Sequence, residues 1–466
     1  MPDQRPNIVF IVTDDHAAHA LSAYDDTLID TPNLDRIATG GMRFDDCFCT
    51  NALCAPSRAS ILTGTYSHVN GVHTLSTHFD ARQPTFASML RDAGYQTWLV
   101  GKWHLGHGGS HDPQGFDSWQ VLEGQGPYWN PELLSPAGRR RVSGYTTTVL
   151  TDLALEQLSA RDRDRPFCLL LHHKAPHRSW DPDTRHADLF ADDLPEPATL
   201  FDDHAGHSQA ARDARMRVGR DLTERDLKGP WPEGLSERER TRWGYQRYLK
   251  DYLRCVVSVD ENVGRVLDAL DAEGLAEDTI VVYTSDQGFF LGDHGWYDKR
   301  FMYDESIRMP LLVRYPREVP AGTRTDAIVT NVDFAQTFLD YAGLPSLPRM
   351  QGRSMRPVLR GETPPEWPTS FYYRYWEHDD SAHHVGAHYG VRTKRYKLIY
   401  YYGAGLGLPG TSDRQMPPEW ELFDLERDPC ELHSVHDDPA YADVRRELEE
   451  ELAKLQREVG DAPWPG

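Results

Sequence analysis

The stretch Asn7-Ile8-Val9-Phe10-Ile11-Val12-Thr13-Asp14-Asp15 is apolar without alternation and then stops on two carboxylates. An unbroken run of this kind suits a strand buried on both faces, as in a parallel sheet. Comparable runs recur at Gln96–Val100, Phe167–Leu171, Thr279–Thr284 and Pro310–Arg314. Helical patterns lie between them, among them Thr85–Ala93, Gly144–Leu158 and Leu253–Ala272. Strand–helix–strand alternation specifies an α/β fold with a sheet covered on both faces.

The chain has 466 residues, enough for about three units at ~150 residues each, or for one large domain and a smaller one. Fifty Lys and Arg stand against 72 Asp and Glu, a net charge of −22. That balance argues against nucleic acid as a partner, which calls for a basic face, and it raises the question of whether any anion can be the substrate. No stretch approaches the ~20 apolar residues of a membrane-spanning helix. Aromatic residues make up 11% of the chain, against a disordered polymer. The opening residues lack a signal-peptide pattern, so a cytoplasmic location is the expectation. Six cysteines (Cys47, Cys49, Cys54, Cys168, Cys255 and Cys430) are too sparse for a disulfide framework, and Cys47, Cys49 and Cys54 lack the partner set of a zinc site.

Residues 181–245 are rich in Asp, Arg, Glu and Pro with little periodicity and read as a lid-like insertion. After Pro345 the pattern changes. Ser370–Trp376 and Lys394–Tyr402 read as aromatic strands, Pro417–Asp428 is a further short segment, and Val444, Leu448, Leu452, Leu455 and Val459 share one face of a terminal helix. The division expected is a catalytic domain over 1–360 and a C-terminal subdomain over 361–466, with a small antiparallel sheet and a helix.

Ligands in open α/β sheets bind beyond the carboxyl ends of the strands. Asp14-Asp15 follow the first run, Gly101-Lys102-Trp103-His104 the second, His172-His173-Lys174-Ala175-Pro176-His177 the third, and Ser285-Asp286-Gln287-Gly288 the fourth. Asp14, Asp15, Asp286 and Gln287 offer oxygen ligands, which suit Ca²⁺, or Mg²⁺ as the alternative, better than zinc. His172 and His173 read as supporting or core residues, while His16, His19 and His294 stay unassigned. Gly403–Gly407 reads as a flexible loop.

Cys54-Ala55-Pro56-Ser57-Arg58 precedes Leu62-Thr63-Gly64. Pro56 suits the first turn of a helix, Arg58 falls on the face of Cys54, and both helix terminus and guanidinium favour negative charge there. This segment resembles the signature C-x-P-S-R-x-x-x-L-T-G of the type I sulfatases. The likeness runs from Asn7–Phe10 through Gly101–His104 to Glu421-Leu422-Phe423-Asp424-Leu425. It implies the alkaline-phosphatase-like sandwich: a large mixed, mostly parallel sheet between helices plus the smaller C-terminal subdomain. It also implies that a formylglycine-generating enzyme oxidises Cys54 to formylglycine, an aldehyde that hydrates to a gem-diol. One hydroxyl attacks sulfur and the other loses its proton to expel sulfate, whereas a sulfated thiol would be a dead end.

By matched motif, the resemblance makes Asp14, Asp15, Asp286, Gln287 and the modified Cys54 ligands of a cation, usually calcium. Gln287 stands where relatives more often carry Asn or His. Arg58 would stabilise the hydrated aldehyde, Lys102 and His177 would hold sulfate, and His104 would take the proton that drives release. Lys299 would protonate the leaving alcohol, its ordinary pKa of ~10.4 lowered by nearby Ca²⁺ and Arg58. Tyr283–Gly292 with Trp296–Arg300 most resembles bacterial N-acetylglucosamine-6-sulfatases and related glycosaminoglycan enzymes. A small sulfated saccharide is therefore the expected substrate, with Arg374, Trp376 and His388 as candidate sugar contacts. The competing readings are a phosphonate monoester or phosphodiester hydrolase of the same superfamily, and a silent sugar-binding protein.

Overall fold

The computed structural model describes residues 5–464. A ten-stranded sheet runs in the order Thr323–Thr325, Met42–Phe44, Leu311–Arg314, Thr279–Ser285, Asn7–Thr13, Phe167–His172, Gln96–Lys102, Ser118–Leu122, Glu132–Ser135 and Gly138–Arg141. Its centre is parallel: Asn7–Thr13 lies between Thr279–Ser285 and Phe167–His172, which in turn borders Gln96–Lys102. Antiparallel pairs enter toward both edges. The central run explains its own position. Ile8 to Val12 are each 0% exposed, and each such side chain contributes roughly 1.5–3 kcal/mol when fully buried.

Two helix groups flank the sheet. Pro32–Thr39 and Thr146–Ser159 pack on the long helix Glu237–Ala272, while Cys54–Thr63, Phe86–Asp92 and Asp333–Tyr341 pack together. Phe10 meets Phe86, Phe334 and Phe338 edge-on in the second group. Thr85 and Ser88 cap Phe86–Asp92 reciprocally, and Ser236 with Glu239 does the same for the long helix. That helix begins at Glu237, inside the stretch read as an insertion, and not near Leu253. Tyr245, Tyr248, Leu249 and Tyr252 form its buried stripe among charged neighbours. The rest of 181–245 also packs inward, burying Leu200, Ala211, Met216, Val218 and Leu227.

A second, wholly antiparallel sheet orders Ser370–Tyr375, His388–Thr393, Tyr396–Tyr401 and Glu419–Asp424. The sequence reading missed His388–Thr393, because Gly390 and Arg392 interrupt its apolar pattern. A Cβ at Gly390 would collide with the carbonyl of Leu398 on the next strand. The closing helix Ala442–Val459 buries Leu448 and Leu452. This sheet abuts the larger one at Cys54's helix: Tyr373 Oη accepts from Ala52 N at 3.1 Å and donates to Arg300 O at 2.7 Å.

Candidate active site and metal centre

Register levels the strand ends. Thr13 pairs with Ser285, Val12 and Gly101 both pair with His172, and Lys102 pairs with Leu122. Backbone bonds from His173 N to Val12 O (2.8 Å) and from Asp286 N to Thr13 O (3.1 Å) continue this alignment past the sheet. Asp15 then turns the chain at φ 66°, in the left-handed region that aspartate tolerates better than most residues.

Asp14, Asp15 and Asp286 are each 0% exposed, with oxygens within 4.8 Å of one another. Burial raises the pKa of Asp15 despite Lys299. Burial, followed by the charge of Asp14, pushes Asp286 up to about 7. Burial opposes Asp14 as well, but the positive charges of Lys102, Arg58 and Lys299 hold it well below the usual carboxylate range. Three converging buried carboxylates call for a cation. Gln287 donates through Nε2 to Asp15 and lies 3.7 Å from Cys54 Sγ, while its Oε1 is buried without a partner. A half-turn of that amide exchanges donor for acceptor. The donor set therefore fits a hard divalent ion. Cys54 lies at its margin, in an overlapping group with Asp14 and His177.

Cys54 opens the helix Cys54–Thr63, all of whose residues are buried. Its Sγ donates to Asp14 Oδ1 at 3.2 Å. Burial and then Asp14 raise the thiol pKa, outweighing Lys102 and Lys299. The expectation of stabilised negative charge is thus corrected: this thiol is neutral and a poor nucleophile as it stands. Arg58 donates from Nε to Asp286 Oδ2 (2.9 Å) and from Nη1 to Lys102 O (3.0 Å), which leaves Nη2 buried with no partner.

Lys102 Nζ donates to Asp14 and to Gln125. Lys299 Nζ lies 2.7 Å from Asp15 Oδ1. Burial lowers the pKa of Lys299, but Asp15, Cys54 and Asp298 reverse the effect and hold it well above the ordinary lysine value. The expected lowering rests on a bound Ca²⁺ together with Arg58; among the protein groups alone the carboxylates dominate. His177 places Nε2 3.7 Å from Asp15 and shares Nδ1 with Arg178 O at 2.8 Å. Burial pushes both His177 and His104 well below the usual imidazole range, so both rings are neutral at pH 7. Nδ1 of His104 is buried without a partner.

Arg374, Trp376 and His388 are not free sugar contacts, and this expectation is corrected. Arg374 pairs with Asp461 at 2.8 Å and stacks 3.6 Å over Trp376. His388 is 0% exposed and enclosed by Phe301, Tyr373, Tyr375 and Tyr401. Sequence reasoning also passed over groups that do adjoin the cluster. Gln125 follows the parallel strand Ser118–Leu122, so the strand-end rule could have found it. Beside Lys299, Asp298 lies 3.3 Å from His383, and Arg300 lies 3.1 Å from Glu377. Nothing in their spacing marks His383 or Glu377 as neighbours.

A divalent cation would offset two of the three carboxylate charges, leaving Arg58, Lys102 and Lys299 free to hold an anion. With such a cation bound, the local balance at this rim would be positive although the whole chain is acidic.

The sulfatase family model matches residues 6–344, and the model of the N-sulphoglucosamine sulphohydrolase C-terminal region matches residues 292–458. An N-acetylglucosamine-6-O-sulfatase of Bacteroides thetaiotaomicron is 42% identical, over 98% of this chain and 87% of its own. The human N-acetylglucosamine-6-sulfatase is 30% identical over 80% of this chain and 67% of its own. A solved structure in complex with its substrate D-glucosamine-2-N,6-O-disulfate superposes with a TM-score of 0.90 at 42% identity, covering 98% of each chain. A phosphonate monoester hydrolase of Agrobacterium radiobacter shares the fold, with a TM-score of 0.77 at 23% identity over 98% of this chain and 96% of its own.

Proposed function

The chain belongs to the sulfatase family and hydrolyses sulfate esters, and from that premise we propose that it removes the 6-O-sulfate of a small glucosamine-type saccharide, using Ca²⁺ and a formylglycine made from Cys54. The observation that carries this reading is the convergence of Cys54, Asp14, Lys102 and Lys299 in one buried contact network. The relative of 42% identity supports the choice of sugar and position.

Asp14, Asp15, Asp286 and Gln287 would hold the cation, which would supply positive charge for binding an anionic sulfate. Formylglycine at position 54 would supply a hydroxyl nucleophile with the easy release of sulfate that a thiol cannot provide. The remaining chemistry belongs to the side chains. Lys102 and His177 bind the sulfate. Arg58, fixed through Nε on Asp286, keeps a buried Nη2 without a partner, which would serve an oxygen acceptor at the nucleophile. Lys299, fully charged at pH 7, gives a proton to the departing sugar oxygen. Neutral His104 accepts the proton that drives release. The buried neutral thiol of Cys54 supports the need for conversion by a formylglycine-generating enzyme. The overall acidic charge disfavours long polyanionic chains and favours small substrates.

Positional isomers test the proposal. Protein whose formylglycine content is verified by mass spectrometry should release sulfate from N-acetylglucosamine-6-sulfate much faster than from the 3- or 4-sulfate. Equal rates on all isomers, or preference for another position, would refute it.

A further inference from the structure

A second set of metal-type ligands lies outside the site described above. Asp202, His204 and His207 sit close together in sequence, and His294 comes from the turn after Gly292. All three imidazoles are buried at 0% side-chain exposure. Each directs a nitrogen at the same atom, Oδ2 of Asp202: His207 Nε2 at 3.1 Å, His294 Nδ1 at 3.3 Å and His204 Nε2 at 3.9 Å. We propose that Asp202, His207 and His294, whose ligand atoms lie within 4.8 Å of one another, hold a structural transition-metal ion, zinc by preference, with His204 beside them.

The outer nitrogens support this assignment. His207 Nδ1 lies 3.1 Å from Tyr303 Oη, which itself donates to Glu421 at 2.8 Å. His294 Nε2 lies 3.8 Å from Glu305. An imidazole whose outer N–H faces a carboxylate or phenol presents its lone pair inward, as metal-bound histidines do. Two imidazole nitrogens meeting one carboxylate oxygen need positive charge between them, supplied by ring protons or by a bound cation, and the two states differ in the number of protons the rings carry. His204 supplies the independent observation. Both of its nitrogens are buried with no hydrogen-bond partner, while its ring stacks on Trp296 at 4.6 Å. A metal bond would satisfy one of them. Ligands ~2.0–2.1 Å from a tetrahedral zinc stand about 3.3 Å apart, close to the two shorter spacings here. Two imidazole nitrogens and one carboxylate oxygen suit zinc better than calcium. The ion would fasten residues 202–207 to the turn that leads to Lys299, and through Tyr303 to the C-terminal sheet.

The test is elemental analysis of the full chain purified in excess Ca²⁺ without chelator, followed by Co²⁺ exchange. The expected result is a single zinc per chain, and a cobalt form with tetrahedral d–d bands but no thiolate charge-transfer band, which separates this site from Cys54. Both signals should be lost in folded His207→Gln and Asp202→Asn. Since either variant can unfold, the wild-type measurement stands on its own. A wild-type chain that takes up neither metal overturns the proposal, as does a thiolate band in the cobalt form. So do doubly protonated His207 and His294 rings, seen by NMR with zinc present, or zinc undiminished in a folded variant.

Discussion

Lys299 Nζ sits between the two carboxylate oxygens of Asp15, 2.7 Å from Oδ1 and 2.9 Å from Oδ2. The proposed proton donor is thus tied to a proposed cation ligand, and the carboxylates around it keep it charged. Its role depends on the leaving group. Lys299→Ala should slow release from a sugar sulfate by roughly 10²–10³-fold, within the usual range for a general acid. It should slow 4-nitrophenyl sulfate far less, because nitrophenolate leaves without a proton. Equal losses in kcat on both substrates would remove Lys299 from the acid role.

Cys54→Ser places a hydroxyl where the helix Cys54–Thr63 begins and keeps the size of the side chain. In a host whose modifying enzyme accepts only cysteine, this variant should fold with an unchanged melting temperature. It should lose sulfate release by on the order of 10⁴-fold or more, as expected for loss of a covalent nucleophile. Paired melting curves and initial rates check both parts, and a variant that keeps wild-type turnover would eliminate position 54 as the nucleophile.

Cation affinity should depend on pH. Burial and Asp14 raise Asp286 to about 7, and burial raises Asp15. Below that pH the cation must displace protons from its ligands; above it the carboxylates are already ionised. Affinity for Ca²⁺ should therefore rise with pH and level off above about 7, the slope below it being about tenfold per pH unit for each proton displaced. Calorimetric titration over a pH series measures this directly. An affinity that is flat across neutrality would contradict the electrostatics assigned to these carboxylates.

Arg374→Ala separates scaffold from sugar contact. The guanidinium is paired with the partly buried Asp461 and packed over Trp376, Tyr389 and Tyr402. Breaking a buried pair from one side costs about 3 kcal/mol. Urea unfolding should register that loss while KM for the sugar sulfate stays near wild type. A raised KM with unchanged stability would restore the sugar-contact reading.

The central sheet and the nucleophile segment were legible because both are written locally. Ile8–Val12 is an unbroken apolar run, and Cys54 and Arg58 share one helical turn. The strand-end rule then assembled Asp14, Lys102, His177 and Asp286 without any knowledge of contacts. What stayed hidden depends on partners distant in sequence. Arg374 resembles a sugar ligand until Asp461 occupies it, and His388 resembles a surface histidine until Phe301 and Tyr401 enclose it. His204 and His207 are three residues apart in an acidic stretch, and their convergence with His294 arises only on folding. The start of the long helix was legible in principle, since Ser236 and Glu239 form a capping pair, but charged residues diluted the aromatic stripe behind it.

The most direct test of sulfatase chemistry at this site compares catalytic efficiency on two substrates, N-acetylglucosamine-6-sulfate and a phenyl phosphonate monoester, using calcium-loaded protein of known formylglycine content. The arrangement of Lys102, His177 and Lys299 around Asp14, Asp15 and Cys54 predicts a kcat/KM at least on the order of 10²-fold higher for the sulfate, a difference of about 2.7 kcal/mol in transition-state binding. A preference for the phosphonate would contradict it.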